Sequence, residues 1–176
     1  MENLGNLFKA HVDSGRIAAI DLLDADNPQE VTYADLDASC DAVARGLRLR
    51  GLGPGDRIAI LAQNRLEFME VLFGALRLGC VPVPVNIKLP ADTVEFILRD
   101  AGVKHMFYDR SWDARVCDEL PGTDFDEDYQ NFLDPGEFEA VTVSDKQVSM
   151  QLYTAGTTGR PKGVLLTHSG QGWASK

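Results

Sequence analysis

Apolar positions along the chain alternate between extended and helical spacing. An early apolar run, RIAAIDLLDA from Arg16 to Ala25, predicts a short strand and turn. From Thr32 the spacing turns helical: Leu36, Cys40, Val43, Ala44 and Leu47 share one face, with Thr32 and Asp35 as an approximate capping box and Gly51 as the stop. Gly53-Pro54-Gly55-Asp56 then predicts a tight turn, because Pro54 pre-sets φ and Gly55 accepts a positive φ. It feeds Ile58 to Ala62, a continuous apolar run that predicts a strand covered on both faces. Asn64 with Glu67 predicts the cap of a second helix. In it Leu66, Phe68, Met69, Val71, Leu72, Phe73, Leu76 and Leu78 leave almost no polar face, so burial between layers is expected.

Gly79 ends that helix, and Val81-Pro82-Val83-Pro84-Val85 follows. Prolines cannot donate to a ladder, which predicts a sheet edge or an irregular crossing. Pro90 opens a third helix carrying Val94, Ile97, Leu98 and Ala101, stopped by Gly102, with Val103 to Tyr108 as the next strand. Strands and helices in this alternation predict an α/β fold, a doubly wound and mainly parallel sheet with flanking helices. A last strand, Val148 to Tyr153, runs directly into a glycine-rich segment, the place where an open α/β sheet normally binds its ligand.

Charge adds what periodicity cannot. The 176 residues carry 17 Lys+Arg against 27 Asp+Glu, a formal charge of −10. Residues 109–145 hold 12 acids and 2 bases, so this one segment accounts for the whole excess. It has little periodicity and is expected to be an acidic, loop-rich connecting segment, a solvated surface rather than a metal site, since its carboxylates lack any ligand-loop spacing. Nucleic acid is a poor partner for so acidic a chain. From Lys146 onward the balance inverts: no carboxylate occurs up to Lys176, whereas Lys146, Arg160, Lys162 and Lys176 are basic. An anionic ligand fits there.

Composition narrows the class. Apolar residues make up 44% of the chain, which excludes intrinsic disorder as a whole. No stretch free of Asp, Glu, Lys and Arg exceeds 13 residues, too short for a transmembrane segment. Three scattered cysteines, Cys40, Cys80 and Cys117, with no secretory signal, read as a reduced, cytoplasmic protein. Cys40 falls on the apolar helix face as a small core residue. His11 and His105 have no ligand-like partners and are expected to be neutral structural residues; His168 is expected to cap or pack on a helix after the glycine-rich loop. Trp112 and Trp173 flank loops without a readable role.

The chemistry lies in Tyr153-Thr154-Ala155-Gly156-Thr157-Thr158-Gly159-Arg160-Pro161-Lys162-Gly163-Val164. Gly156 and Gly159 let the backbone turn tightly and present amides; Thr154, Thr157 and Thr158 add hydroxyls; Lys162 supplies a mobile point charge. These are the requirements of a polyphosphate site, against the bland alternative of a structural turn. It is not a Walker loop, because Pro161 precedes and Gly163 follows the lysine, nor does it have the glycine spacing of the dinucleotide fingerprint.

The segment closely resembles the signature loop of the adenylate-forming (AMP-binding) superfamily, written Thr-Ser-Gly-Thr-Thr-Gly-x-Pro-Lys-Gly. Ala155 in place of serine is the one departure in ten positions; it removes a hydroxyl but leaves the backbone amide. Val31-Thr32-Tyr33, Pro54 to Ile60 and Gly79 to Asn86 also look like that family's N-terminal region. The resemblance implies an acid–thiol ligase of the acyl-CoA synthetase type. Such an enzyme activates a carboxylic acid with ATP and Mg²⁺ to an acyl-adenylate, then passes the acyl group to coenzyme A. It assigns Thr154, Ala155, Gly156, Thr157, Thr158, Gly159 and Lys162 to ATP, with no metal-ligating side chains. The family's adenine segment, ribose-binding aspartate, hinge and catalytic lysine are not found in 1–176. The chain is therefore expected to be the N-terminal part of the large domain, ending just after the phosphate loop, without the C-terminal domain and inactive by itself. Its uncovered sheet edge and apolar faces predict self-association. A non-catalytic polyphosphate-binding or interaction domain, or a piece of an amino-acid-activating domain, is the alternative.

Overall fold

In the computed structural model, residues 3–22, 26–110, 120–154 and 159–174 are described. They run through β1 (Ile17–Asp21), β2 (Gln29–Thr32), α1 (Tyr33–Leu49), β3 (Arg57–Leu61), α2 (Leu66–Arg77), β4 (Val81–Pro84), α3 (Ala91–Ala101), β5 (Val103–Tyr108), β6 (Gly122–Asp124), α4 (Tyr129–Phe132), β7 (Val148–Thr154), β8 (Lys162–Thr167) and α5 (His168–Ala174). The central sheet is parallel throughout, in the order β4-β3-β5-β6. β1–β2 and β7–β8 are separate antiparallel pairs. No helix among the described residues is long and apolar enough to cross a membrane.

Alternation along β3 builds two cores, as its uninterrupted apolar run predicts. Ile58 and Ile60 face α1 and α2, packing with Val43, Leu47, Val71 and Ala75; Ala59 and Leu61 face α3, packing with Val94, Ile97 and Leu98. Helices therefore cover both faces, and the sheet is doubly wound. In β4, Val81 and Val85 donate to Asp56 and Ile60 of the β3 side. Successive strand amides point to opposite sides, so Pro82 and Pro84 fall where the N–H would face away from β3. Two prolines thus sit on an edge strand at no cost to the ladder.

Helix α1 begins as its sequence predicts: Thr32 Oγ1 accepts from the Asp35 amide at 3.2 Å, and Asp35 Oδ2 accepts from the Thr32 amide at 3.1 Å. Helix α2 differs from expectation. Its N-cap is Arg65, without a side-chain cap, rather than Asn64 with Glu67. The Arg65 guanidinium recruits Glu67 at 2.9 and 3.1 Å, so this carboxylate is spent on charge neutralisation instead of on the helix terminus. Nor is α2 merely apolar: it buries Glu70 and Arg77 as well. Glu70 lies inside among α1 and α4, where burial raises its carboxyl pKa although Tyr129 Oη donates to it at 2.7 Å. Gly74 lets α2 approach α1 closely; a Cβ there would lie 2.7 Å from both the Cys40 carbonyl and Val43 Cβ.

The acidic segment contributes more than a surface connection. Its described part supplies β6 and α4 and sends Phe125, Tyr129, Phe132 and Phe138 into the larger core, where Phe107 meets Phe125, Tyr129 and Phe132 at centroid distances of 5.7, 6.2 and 4.8 Å. Four aromatics among twelve acids carry no period, which is why the pattern hid them. Residues 111–119, with Trp112 and Cys117, lie outside the described residues.

Arg77, with no exposed surface, ties these parts together. Its Nη1 and Nη2 reach Asp41 and Asp37 at 2.5 Å each, Nη1 also donates to the Asp37 carbonyl, and Nε donates to the Gly5 carbonyl at 3.0 Å. Replacing it leaves two carboxylates buried without their partner, with only Lys9 still holding Asp37 at 2.7 Å. We expect Arg77→Met to cost about 3–5 kcal/mol in urea denaturation, and Arg77→Lys to recover little because an ammonium cannot fork. A loss under ~1 kcal/mol would show that the network does not hold the fold.

Candidate functional site

A doubly wound sheet offers a ligand crevice where its crossovers diverge, here at the carboxyl ends of β3 and β5. Charged side chains gather there. The Asp109 amide donates to the Leu61 carbonyl at 3.1 Å, and the Asp109 carboxylate accepts from the Gln63 amide at 2.6 Å and from Arg65 Nη1 at 2.8 Å. Arg65 also reaches Asp126 at 3.0 Å and lies 4.8 Å over the Phe125 ring. Ion pairs thus link the chain after β3 to the chain after β5.

The glycine-rich segment lies elsewhere. Sequence reasoning placed it at the end of a sheet strand with a helix to follow, but β8 comes between the loop and α5, and β7 with β8 forms an antiparallel hairpin outside the parallel sheet, packed against β4. The hydrophobic run Val164-Leu165-Leu166 is short and follows a glycine, so periodicity alone could not separate strand from helix. Ala155, Gly156, Thr157 and Thr158 lie outside the described residues; Thr154, Gly159 and Lys162 are described. Thr154 and Lys162 are direct register partners where the hairpin opens into the loop, and both are exposed. Lys162 is thus an element of β8 rather than of a free loop. Gly159 has φ 135°, where any side chain would be strained, and no atom would come within 4 Å of an added Cβ.

The pleat gives the hairpin two faces. Thr154 and Lys162 share one with Leu152 and Val164; Tyr153 and Gln151 lie on the other, toward α3. Tyr153 Oη donates to Asp100 Oδ2 of α3 at 2.6 Å and accepts from Gln151 Nε2 at 2.9 Å, and its ring packs beside the α3 core. Burial and the Asp100 carboxylate push the phenol pKa up, so the donor proton stays in place. Gly163 opposite Tyr153 leaves room for this arrangement: a Cβ there would stand 2.8 Å from Gln151 Nε2. Such a hairpin presents a hydroxyl and an ammonium side by side, at the mouth of a loop rich in amides and hydroxyls, within a stretch free of carboxylates. Its chemistry suits a polyphosphate anion.

The histidines stand apart. His168 is fully buried as the first residue of α5, its Nδ1 accepting from the Leu4 amide at 3.4 Å, and burial lowers its pKa. It packs, as expected, but against the N-terminal segment. His105 Nε2 lies 2.9 Å from Thr123 Oγ1 within the core, its ring 5.4 Å from Phe132; burial first, then the Arg50 charge, lower its pKa to about 4. Neither touches the hairpin loop among the described residues, nor do any three His, Cys, Asp or Glu side chains gather where they could hold a metal.

Comparison with known proteins bears on this arrangement. The family model described as AMP-binding enzyme matches residues 8–174. The chain is 36% identical over 148 residues to the fatty acid–[acyl-carrier-protein] ligase ScoC of Streptomyces coeruleorubidus, covering 78% of this chain and 28% of that protein. It is 33% identical over 193 residues to the long-chain-fatty-acid–CoA ligase FadD13 of Mycobacterium tuberculosis, covering 99% of this chain and 38% of the relative. It superposes on the o-succinylbenzoate coenzyme A synthetase MenE of Bacillus subtilis, solved in complex with AMP, with TM-score 0.84 and 30% identity, covering 99% of this chain and 44% of that one. The chain thus spans about a third of the length of the curated relatives it matches.

His105 gives a pH signature separate from the site. Its folded pKa of about 4 lies below the unfolded value of 6.5, so the unfolded chain binds a proton over a range where the folded chain does not. Stability from this group is complete above pH 6.5 and falls as pH drops toward 4, by about 3 kcal/mol at most. We expect His105→Gln to flatten this limb in denaturant titrations at pH 7, 5.5 and 4.5; parallel curves for variant and wild type would contradict the assignment.

Proposed function

The chain belongs to the AMP-binding enzyme family, and from that premise we propose that it supplies the phosphate-holding hairpin of an AMP-forming acid–thiol ligase, an acyl-CoA synthetase. One observation carries the reading most directly. Thr154 and Lys162 stand opposite each other at the mouth of a glycine- and threonine-rich loop, exposed and without a nearby carboxylate in sequence from Lys146 onward.

In the proposed reaction a carboxylate oxygen attacks the α-phosphorus of ATP, the bond from that phosphorus to the bridging oxygen breaks, and pyrophosphate leaves. A thiol, that of coenzyme A, then attacks the acyl carbonyl and AMP departs. The hairpin's work is binding and orientation. Lys162 neutralises charge on the β- and γ-phosphates, Thr154 with Thr157 and Thr158 donates hydroxyl hydrogen bonds, and the amides of Ala155, Gly156 and Gly159 complete the cradle. Holding the leaving pyrophosphate rigidly lets the α-phosphorus face the acid in line. Mg²⁺ is a hard cation that keeps several waters and enters on the phosphates, so it needs no dedicated side-chain cage here. The relatives' names, fatty acid ligases with carrier-protein or coenzyme A acceptors, favour a fatty carboxylic acid as substrate.

Two measurements test this. MgATP and magnesium pyrophosphate should bind the chain in isothermal titration, and Lys162→Ala combined with Thr157→Ala should weaken binding at least tenfold, two charge-assisted contacts being lost. The longer protein carrying this segment should catalyse ATP–pyrophosphate exchange that depends on a carboxylic acid, whereas the 176-residue chain alone should not. Unchanged titrations in the double variant remove the hairpin from the phosphate site.

A further inference from the structure

The hairpin is not free to place its loop. Helix α3 meets it twice, once on each side of the glycine-rich turn. Before the turn, Tyr153 Oη donates to Asp100 at 2.6 Å; after it, the Arg160 guanidinium carbon lies 5.0 Å over the Phe96 ring. Phe96 and Asp100 are four residues apart, hence neighbours on one face of α3. Between α3 and the segment Gly159 to Pro161 lies a cavity of about 540 Å³, so the approach of helix and hairpin tip is not a continuous packed seam. Among the described residues, these two contacts span it.

We propose that α3 is the positioning element of the phosphate loop, with Phe96 and Asp100 holding Arg160 and Tyr153 and so fixing both ends of residues 154–159. This rests on the phosphate-loop reading. Tyr153 and Arg160 immediately bracket that stretch. Gln151 extends the first anchor toward β3, donating to Tyr153 Oη at 2.9 Å and lying 3.5 Å from Arg57 Nε. An aromatic ring under a guanidinium and a hydrogen bond to a carboxylate are both directional, so they hold the two residues that flank the loop without touching the ligand themselves. Loops that must close on a polyphosphate lose affinity when their ends drift, since the ordering then has to come from the ligand. These are positioning residues.

The experiment measures the dissociation constant of MgATP for the full chain and for Tyr153→Phe, Phe96→Ala, Phe96→Tyr and the pair Phe96→Ala with Arg160→Ala. Tyr153→Phe deletes one oxygen and keeps the packed ring, so folding is retained. We expect Tyr153→Phe and Phe96→Ala each to weaken MgATP roughly five- to tenfold, with thermal midpoints within about 2 °C of wild type. Phe96→Tyr, which restores a ring under Arg160, should bind as wild type, and Phe96→Ala with Arg160→Ala should be less than the product of the single effects. Wild-type affinity in both Tyr153→Phe and Phe96→Ala overturns the proposal and leaves the phosphate reading intact. Affinity losses that merely track a falling thermal midpoint, or that Phe96→Tyr fails to rescue, also overturn it. No MgATP binding by the wild-type chain overturns both.

Discussion

A guanidinium removed entirely from water is the constraint on which this structure turns. Arg77 must find partners for its charge, because an unpaired charge in the interior costs several kcal/mol. It finds them in Asp37 and Asp41 of α1 and in the Gly5 carbonyl of the N-terminal segment, so three stretches of chain are committed to one point. The backbone around it extends the commitment. The Val141 amide donates to the Arg77 carbonyl at 2.8 Å, and the Asn3 side chain bridges the Leu76 and Val141 carbonyls at 2.8 and 3.0 Å. Val141 lies on the chain that leads into β7, so that approach is tied to the end of α2.

A second arginine gathers charges at the carboxyl ends of β3 and β5. Arg65, its side chain 7% exposed, pairs with Glu67, Asp109 and Asp126 there. The proposed polyphosphate site falls instead on an antiparallel hairpin beside edge strand β4. There Pro82 and Pro84 make further ladder pairing impossible at their own positions and leave a surface for side-chain packing. The hairpin is thus an appendage to the parallel sheet rather than one of its strands.

Much of this was legible from local pattern. Thr32 with Asp35, Gly102 after Ala101, and the alternation through Ile58 to Leu61 are signals whose cause lies within four residues, and the structure follows them. Where local signals competed, they misled. Glu67 reads as a cap partner three residues from Asn64, yet the stronger attraction is the Arg65 guanidinium that also serves Asp109, 44 residues away. Phe125, Tyr129 and Phe132 sit in a segment whose acid content announces a surface, but each aromatic buries enough area to outweigh the exposed carboxylates around it. The glycine-rich segment follows a strand, as the pattern predicts, but that strand pairs in a separate hairpin, since a three-residue apolar run after Gly163 fits strand and helix equally.

Taken alone, the sequence determined the alternation of strands and helices, the capping box of α1, the glycine stop of α3 and the charge inversion after Asp145. These follow from backbone geometry and side-chain chemistry over short spans. Only the tertiary structure decided that Arg77 would bind Asp37 across 40 residues, that Tyr153 would reach Asp100 across 53, and that the loop would ride on a hairpin. Such pairings depend on which faces two elements present once both cores have packed, and nothing in the period of either segment carries that information.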